Sequence, residues 1–213
     1  MRSEILSLNI GHPAPMEWRG KSILSSMRKM PVPGPLLVHR DRIEGNSFAN
    51  PTAHGTPDFL LYAYGMPSAL SFVKRIGLDT YEPGSSGETL LLDDFDETKI
   101  SVGDIFSFGA VIAQACFPRI PCGKVNFRMR HEGGQRAMQE CGRSGVYLRV
   151  LQPGKIHSSD TVKKIESAAH VFSIFEVYQL VLRGEKPTAE QMERAQANGA
   201  FPQKFLDRWL NSN

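Results

Sequence analysis

The chain has 213 residues, enough for one large domain or for one domain with a small appendage. Its hydrophobic fraction of 41% and charged fraction of 22% are ordinary for a globular protein, and no apolar run approaches the ~20 residues that span a bilayer. The net charge is only +3 and the basic residues form no long run, which argues against nucleic acid as a partner.

Three cysteines are spread over the second half of the chain, at Cys116, Cys122 and Cys141. They form no disulfide framework, and no Cys-x-x-Cys pair indicates a structural zinc site. A reducing cytoplasm fits this cysteine content best. Residues 1–10 carry an early acid and a short alternating pattern, which predicts a first strand rather than a signal peptide. We therefore expect a cytoplasmic protein without a membrane partner.

The N-terminal part of the chain is predicted to contain two strands joined by a polar loop. The strands are expected at residues 4–10 and 34–39, with the loop at residues 19–29. In this loop Lys21 and Ser22 follow a glycine, so that a hydroxyl, a point charge and a backbone donor could together hold a phosphate. The upstream glycine of a P-loop is absent, and the alternative is a solvated loop without a ligand.

A second loop, residues 43–58, is punctuated by glycine and proline and contains the titratable residues His54 and Asp58. Long ordered loops inside compact domains tend to be functional, although a histidine followed by glycine is more often a turn residue than a catalyst. Residues 64–77 then predict a helix, because a proline falls in its first turn, apolar residues line one face and a glycine ends it.

The segment that follows the next strand pair carries the strongest chemical signal. Strands are predicted at residues 100–108 and 110–115, and prolines then interrupt the sheet. Cys122 follows on an irregular loop, with Arg119 and Lys124 nearby in the sequence. Nearby cations stabilise a thiolate, the form that attacks electrophiles or binds a soft metal. The alternative interpretation is a small buried hydrophobe beside solvated basic residues.

The character of the chain changes at about residue 170. Before it, a short helix at 134–142 is followed by strands at 145–151 and 161–166. After it, capping-box patterns and glycine stops predict three short helices. We therefore expect a mainly β, α+β protein, with a β-barrel domain at residues 1–168 and a three-helix appendage at 169–213. Such short helices must pack on the barrel or on a second subunit, and the latter would make a homodimer.

Several of these segments, taken together and in order, resemble the MOSC (molybdenum cofactor sulfurase C-terminal) domain family, in particular its 6-hydroxylaminopurine-resistance (YiiM-type) branch. The resemblance covers nearly the whole chain, and its specificity comes from the ordered set. The matching motifs are Ile43-Glu-Gly45, His54-Gly-Thr-Pro-Asp58, Gly87-Glu88-Thr89, Gly103-Asp104, Pro118-Arg119-Ile-Pro-Cys122-x-Lys124 and Gly142-Arg143-x-Gly145-x-Tyr147-x-Arg149.

This resemblance implies a MOSC-type barrel that binds molybdenum cofactor, the molybdopterin complex of molybdenum. Cys122 would be the protein sulfur ligand of the metal, and His54 or Asp58 would relay protons. The pterin phosphate needs cationic, hydroxyl and backbone donors. The residues that could supply them are Lys21, Ser22, Arg119, Lys124 and Arg143.

The chain departs from the family pattern at three positions. Asn46 stands where the family usually has aspartate, which puts an acid role there in doubt. Thr56 replaces the second glycine of His-Gly-Gly, and this change suggests a different turn. Thr89 replaces an asparagine. Cys116 and Cys141 match no motif of the family, and we expect both to be structural.

Two functional hypotheses follow from the resemblance. In the first, the protein is an oxidoreductase that reduces N-hydroxylated compounds, such as N-hydroxylated purine bases. Its electrons would come from a separate reductase, since the chain has no dinucleotide-binding motif and no cysteine set for an iron–sulfur cluster. In the second, Cys122 carries a persulfide or passes the cofactor on without turnover. A third alternative is a barrel with an inert cysteine and another ligand.

Overall fold

Seven strands close into a barrel in the computed structural model, which describes residues 1–168 and 172–211. The described residues form twelve strands in all, of which seven make the barrel. They are β1 (Arg2–Ile10), β2 (Ala14–Trp18), β3 (Lys21–Ser25), β4 (Met30–Val32), β5 (Leu36–Val38), β6 (Leu61–Gly65), β7 (Leu90–Leu92), β8 (Ile105–Phe108), β9 (Val111–Pro118), β10 (Val146–Gln152), β11 (Gly154–Ile156) and β12 (Thr161–Glu166). Around the barrel the order is β1-β12-β8-β9-β10-β6-β7 and back to β1, and β4 adds an eighth strand beside β1. Only β6 and β7 pair in parallel within this ring. The predicted mainly β, α+β barrel is confirmed.

The barrel interior is filled by alternating apolar side chains. In β10, for example, Val146, Leu148 and Val150 point inward, and each is at most 4% exposed. Because side chains alternate between the two faces of a strand, the intervening Tyr147 and Arg149 point outward. Tyr147 lines a cavity and Arg149 forms an ion pair, and the inward packing of β10 fixes where both side chains start.

The helices lie outside the barrel. They are α1 (Pro51–His54), α2 (Met66–Lys74), α3 (Lys124–Met129), α4 (Gly134–Cys141), α5 (Ile174–Arg183), α6 (Ala189–Asn198) and α7 (Gln203–Asn211). The capping boxes predicted at the starts of α5 and α6 are both present, and a left-handed glycine follows each helix. No helix in the described part of the chain is long and apolar enough to cross a bilayer.

The three C-terminal helices share the core of the barrel. Ile174 and Val177 from α5, and Leu206 and Trp209 from α7, belong to the same buried cluster as the barrel strands. The backbone N–H of Ile174 also donates to the carbonyl of Ile100 at 2.7 Å. Of the two alternatives for these helices, packing on the barrel is therefore the one observed. The predicted boundary at 168/169 adjoins residues 169–171, which lie outside the described residues.

The predicted polar loop at residues 19–29 is wrong, because β2 and β3 form a hairpin there. Arg19 and Gly20 make its two-residue turn, with φ of 52° and 72°. Two positive φ values match the right-handed twist of the flanking strands. The hairpin is held from outside by a long-range contact, in which the Trp18 ring meets the Phe127 ring edge-on at 5.8 Å.

Three further predictions near the site need correction. Residues 61–65 form the buried strand β6, so the helix predicted from residue 64 begins only at Met66. The second strand of the predicted pair continues through residue 118. Lys124 opens a helix instead of lying on an irregular loop. In each case a buried neighbouring element decides the local conformation, and the local pattern alone did not contain that information.

Candidate functional site

The segment between β9 and α3, residues 119–123, is called the cysteine loop below. It leaves the sheet at a β-bulge, because Tyr147 and Leu148 of β10 pair with Phe117 and Ala115 and skip the residue between them. The N–H of Arg119 donates to the carbonyl of Gly145 at 3.0 Å. These contacts fix the start of the loop, while Cys122 is only half buried and its thiol is free.

A cavity with about 630 Å³ of empty space, including its open mouth, lies beside the cysteine loop. The residues that line it are Ser25, Ser26, Met27, Lys29, Phe48, Ala49, Asn50, His54, Phe59, Leu60, Tyr62, Ser86, Gly87, Arg119, Ile120, Cys122, Lys124 and Tyr147. Arg119, Cys122 and Lys124, which the sequence placed together, all line it. Among the described residues, the lining contains no aspartate and no glutamate.

Arg119 is one of two deeply buried cations of the cavity, and 4% of its surface is exposed. Its Nη1 donates to the thioether of Met138 at 2.8 Å, which is a weak acceptor for a charged group. No carboxylate within the described residues forms an ion pair with it. A guanidinium removed from water without a counter-charge is costly, and the cost is recovered when an anion binds beside it.

Lys29 is a second buried cation in the lining, and the sequence analysis did not identify it as a site residue. Its Nζ donates to the hydroxyl of Thr89 at 2.8 Å. Burial lowers the pKa of Lys29 to about 8, against an opposing effect of the nearby Glu88 carboxylate. Thr89 is one of the three departures from the family pattern, and its hydroxyl is the acceptor that positions Lys29. The sequence did not identify Lys29 as a cavity residue, because its hydrogen bond joins it to a residue 60 positions away and it lies in a stretch predicted as a polar loop.

Loop 84–88 presents Ser86 and Gly87 to the cavity. The buried carboxylate of Glu88 organises this loop by accepting from the N–H of Gly84 at 2.5 Å and of Ser86 at 3.0 Å, and from the Tyr81 hydroxyl at 2.9 Å. The Oγ of Ser86 is buried, and no group in the described part of the chain forms a hydrogen bond with it. A buried hydroxyl without a partner beside a cavity is a group that a bound ligand can satisfy.

His54 also lines the cavity, and its Nδ1 lies 3.4 Å from the hydroxyl of Tyr147. Burial, and after it the charges of Lys124, Arg119, Lys204 and Lys29, lower the pKa of His54 to about 4. Burial likewise raises the pKa of Tyr147 to about 12. Both groups are therefore neutral at pH 7. Together they can pass a proton along a hydrogen bond, but His54 does not act as a standing positive charge.

Four residues predicted for the site lie outside the cavity. Lys21 and Ser22 are exposed on the outer hairpin. The Asp58 carboxylate accepts from Nε of Arg149 at 2.6 Å. Arg143 is half buried, and its carbonyl accepts from the hydroxyl of Tyr64 at 3.2 Å. The structure therefore does not bring these four side chains to Cys122, and Asp58 in particular is occupied by an ion pair.

The other two cysteines have structural surroundings. Cys116 is fully buried, and its thiol donates to the carbonyls of Asp58 at 2.9 Å and Tyr147 at 3.2 Å. Burial raises the pKa of the Cys116 thiol. Cys141 lies on α4, with its sulfur 3.8 Å from the carbonyl of Ser68. No cluster of three or more His, Cys, Asp or Glu side chains occurs among the described residues, so Cys122 stands alone as a candidate metal ligand.

Comparison with known proteins shows which family this chain resembles. The MOSC domain family model matches residues 50–163, a range that contains His54 and the cysteine loop. The uncharacterized protein YflK of Bacillus subtilis is 29% identical over 158 residues, which cover 73% of this chain and 70% of that protein. Protein YiiM of Escherichia coli is 28% identical over 149 residues, covering 69% of this chain and 66% of that protein.

Two further comparisons concern fold and size. The crystal structure of YiiM from Geobacillus stearothermophilus superposes with a TM-score of 0.78 over 98% of this chain and 97% of that one, at 24% identity, and therefore supports the fold. A protein named "Reductase" from Gibberella moniliformis is 26% identical over 165 residues. That match covers 76% of this chain but only 29% of the fungal protein.

Proposed function

Because this chain belongs to the MOSC domain family, we propose that it binds molybdenum cofactor in the cavity and reduces N-hydroxylated compounds, such as N-hydroxylated purine bases. MOSC domains are associated in general with this cofactor. The observation that carries the proposal is the composition of the cavity lining, which joins a free thiol to three cations and contains no carboxylate among the described residues. A soft metal with an attached phosphate needs this combination of donors.

The residues present fit the cofactor. Cys122 would supply a thiolate to molybdenum, and Arg119, Lys29 and Lys124 would surround the pterin phosphate. The unpartnered Oγ of Ser86 gives the phosphate a hydroxyl donor in the same wall. The unpaired guanidinium of Arg119 would gain the counter-charge that the protein itself does not provide.

Reduction of R–NHOH to R–NH₂ and water consumes two electrons and two protons. When bound, the cofactor would supply the two-electron redox couple. The chain supplies a proton path through the His54 and Tyr147 pair, which reaches the cavity beside Cys122. The aromatic rings of Phe48, Phe59 and Tyr62 line the cavity and would exclude water from the substrate.

We further propose that the electrons come from a separate reductase. The chain contains no Gly-x-Gly-x-x-Gly motif and too few cysteines for an iron–sulfur cluster. The fungal protein named "Reductase" supports the assignment of a reduction to this chain.

Metal analysis tests the proposal directly. Wild type, Cys122→Ala and the matched control Cys141→Ala would be produced in a host that makes molybdenum cofactor. We expect near-stoichiometric molybdenum in the wild type and in Cys141→Ala, and less than about a tenth of that in Cys122→Ala, because a lone thiolate ligand is lost. Reduction of 6-hydroxylaminopurine with dithionite and methyl viologen should follow the metal content.

Two results would redirect the proposal. Full molybdenum content and activity in Cys122→Ala would remove the thiolate ligand from the mechanism. Absence of molybdenum from all three proteins, together with an extra sulfur on Cys122 that mild reduction removes, would instead favour the sulfur-carrier hypothesis. Mass spectrometry before and after reduction distinguishes these cases.

A further inference from the structure

The first turn of α7 lies against the wall of the cavity. The ring of Phe205 stacks on Phe117, with centroids 3.8 Å apart and an interplanar angle of 24°. The Nζ of the preceding residue, Lys204, lies 3.9 Å from the centroid of the Phe59 ring. Phe59 is itself a lining residue. The C-terminal helices therefore place a cation at the edge of the cavity.

A polar contact from β10 holds α7 in this position. Arg149 donates to the carbonyls of Gly199 at 3.3 Å and Ala200 at 3.4 Å, in the turn that precedes α7. The same guanidinium is paired with Asp58. Since Asp58 directly precedes Phe59 in the chain, one ion pair fixes both the ring and the turn that leads to Lys204.

Lys204 adds to a cation set that already suffices for the cofactor phosphate. A phosphate group carries close to two negative charges at pH 7. Arg119, Lys29 and Lys124 would exceed that charge without help. Lys204 is exposed, forms no ion pair within the described residues, and acts electrostatically on His54 inside the cavity. Its ammonium group lies over the Phe59 and Phe205 rings, 3.9 Å and 5.4 Å from their centroids, and its N–H donors are left for an anionic group at the edge of the cavity.

We propose that Lys204 is a specificity residue that makes the site select N-hydroxylated substrates bearing an anionic group, with a nucleoside monophosphate as the substrate of fitting chemistry. This inference rests on the proposed function and names its substrate class. The purine ring would contact the aromatic lining, and the substrate phosphate would lie toward Lys204. A point charge on a flexible stem suits a phosphate whose position varies between substrates.

Steady-state kinetics with two substrates tests this assignment. For Lys204→Gln we expect kcat/KM for 6-hydroxylaminopurine riboside 5′-monophosphate to fall about tenfold, while kcat/KM for the free base changes less than about twofold, because only the former contacts the lost charge. Lys204→Arg should retain the preference. Lys186→Gln, an exposed lysine outside the cavity lining, is the matched control. The loss in kcat/KM for the monophosphate should become smaller as the salt concentration is raised.

The same variants separate this proposal from the proposed function. If the wild type reduces the free base but Lys204→Gln affects both substrates equally, or neither, the anionic subsite is overturned while the reductase stands. If no N-hydroxylated compound is reduced, calorimetry with AMP and adenosine still decides the subsite. Tighter binding of AMP that Lys204→Gln weakens supports it, and AMP binding that the variant leaves unchanged overturns it.

Discussion

Two arginines near the bulged β9–β10 pair differ in how their charges are neutralised. Arg149, on β10, donates to the Asp58 carboxylate and to two backbone carbonyls. Arg119, just beyond β9, is more deeply buried and finds only a thioether sulfur. The contacts of Arg149 are called the seam below, because they join the barrel to the turn at residues 199–200. Arg119 belongs to the cavity described above.

The difference between seam and cavity separates structural charge from functional charge. A structural charge is paired by the protein itself, because an unpaired one would lower stability. A charge that remains unpaired and buried implies a partner from outside. The two cysteines of the same region follow this rule: Cys116 donates to two carbonyls, while Cys122 is half exposed in the cavity with a free thiol.

The largest expected effect comes from removing the unpaired charge of the cavity. Arg119→Met should weaken cofactor retention by about 100-fold, because a charge-assisted donor set to the phosphate is lost. The free energy of unfolding should stay the same or rise, since a buried charge without a counter-ion disappears. Molybdenum content and urea denaturation, with exposed Arg183→Met as the control, measure the two effects. Wild-type molybdenum content in Arg119→Met would contradict the prediction.

Removing the paired charge of the seam should have the opposite consequence. Arg149→Met leaves the Asp58 carboxylate without its partner and two carbonyls without donors, and should lower the free energy of unfolding by about 2 kcal/mol. The expected loss is smaller than that for a fully buried ion pair, because the side chains of Arg149 and Asp58 are 26% and 24% exposed. Urea denaturation measures this loss. Unchanged stability would mean that the seam contributes nothing to the docking of the helices.

The elements that could be predicted from sequence are those with local signals. Capping boxes predict the starts of α5 and α6, and each one lies within four residues: Ser173 with Glu176, and Thr188 with Gln191. Strand β6 was missed because all five of its residues are buried, so no alternation distinguishes it from a helix. The hairpin of β2 and β3 was missed because its stabilising contact to Phe127 is more than 100 residues away.

The same division holds for the candidate site. Arg119, Cys122 and Lys124 are neighbours in one segment, so the sequence places them together. Lys29 and Ser86 reach the cavity only because the closed barrel brings their loops beside that segment. Lys204 is contributed by a helix whose sequence shows an amphipathic pattern and nothing more. Conversely, Asp58 was assigned a proton role from its motif, whereas its ion pair depends on a residue 91 positions further on.

The smallest predicted effect sharpens the comparison, because it concerns a buried cavity cation, Lys29, that donates to a neutral hydroxyl and lies near the Glu88 carboxylate. Below pH 8 the wild type carries a charged, buried Lys29, and the fall of its pKa from 10.5 to about 8 corresponds to a cost of about 3 kcal/mol. Lys29→Met removes that cost but leaves the Thr89 hydroxyl without its donor, a loss of about 1–2 kcal/mol. We expect a net gain of about 1 kcal/mol in stability at pH 7, together with weaker cofactor retention.

The pH dependence of this gain follows from the direction of the shift. Between pH 8 and 10.5 the unfolded chain binds more protons at Lys29 than the folded protein, so wild-type stability rises with pH in that window. The advantage of Lys29→Met should therefore be complete below pH 8, and by about pH 10 it should be lost and reversed. Urea denaturation at pH 7 and pH 10, with exposed Lys163→Met as the control, measures it. A stability difference that does not change with pH would show that packing, and not the buried charge, distinguishes Lys29 from methionine.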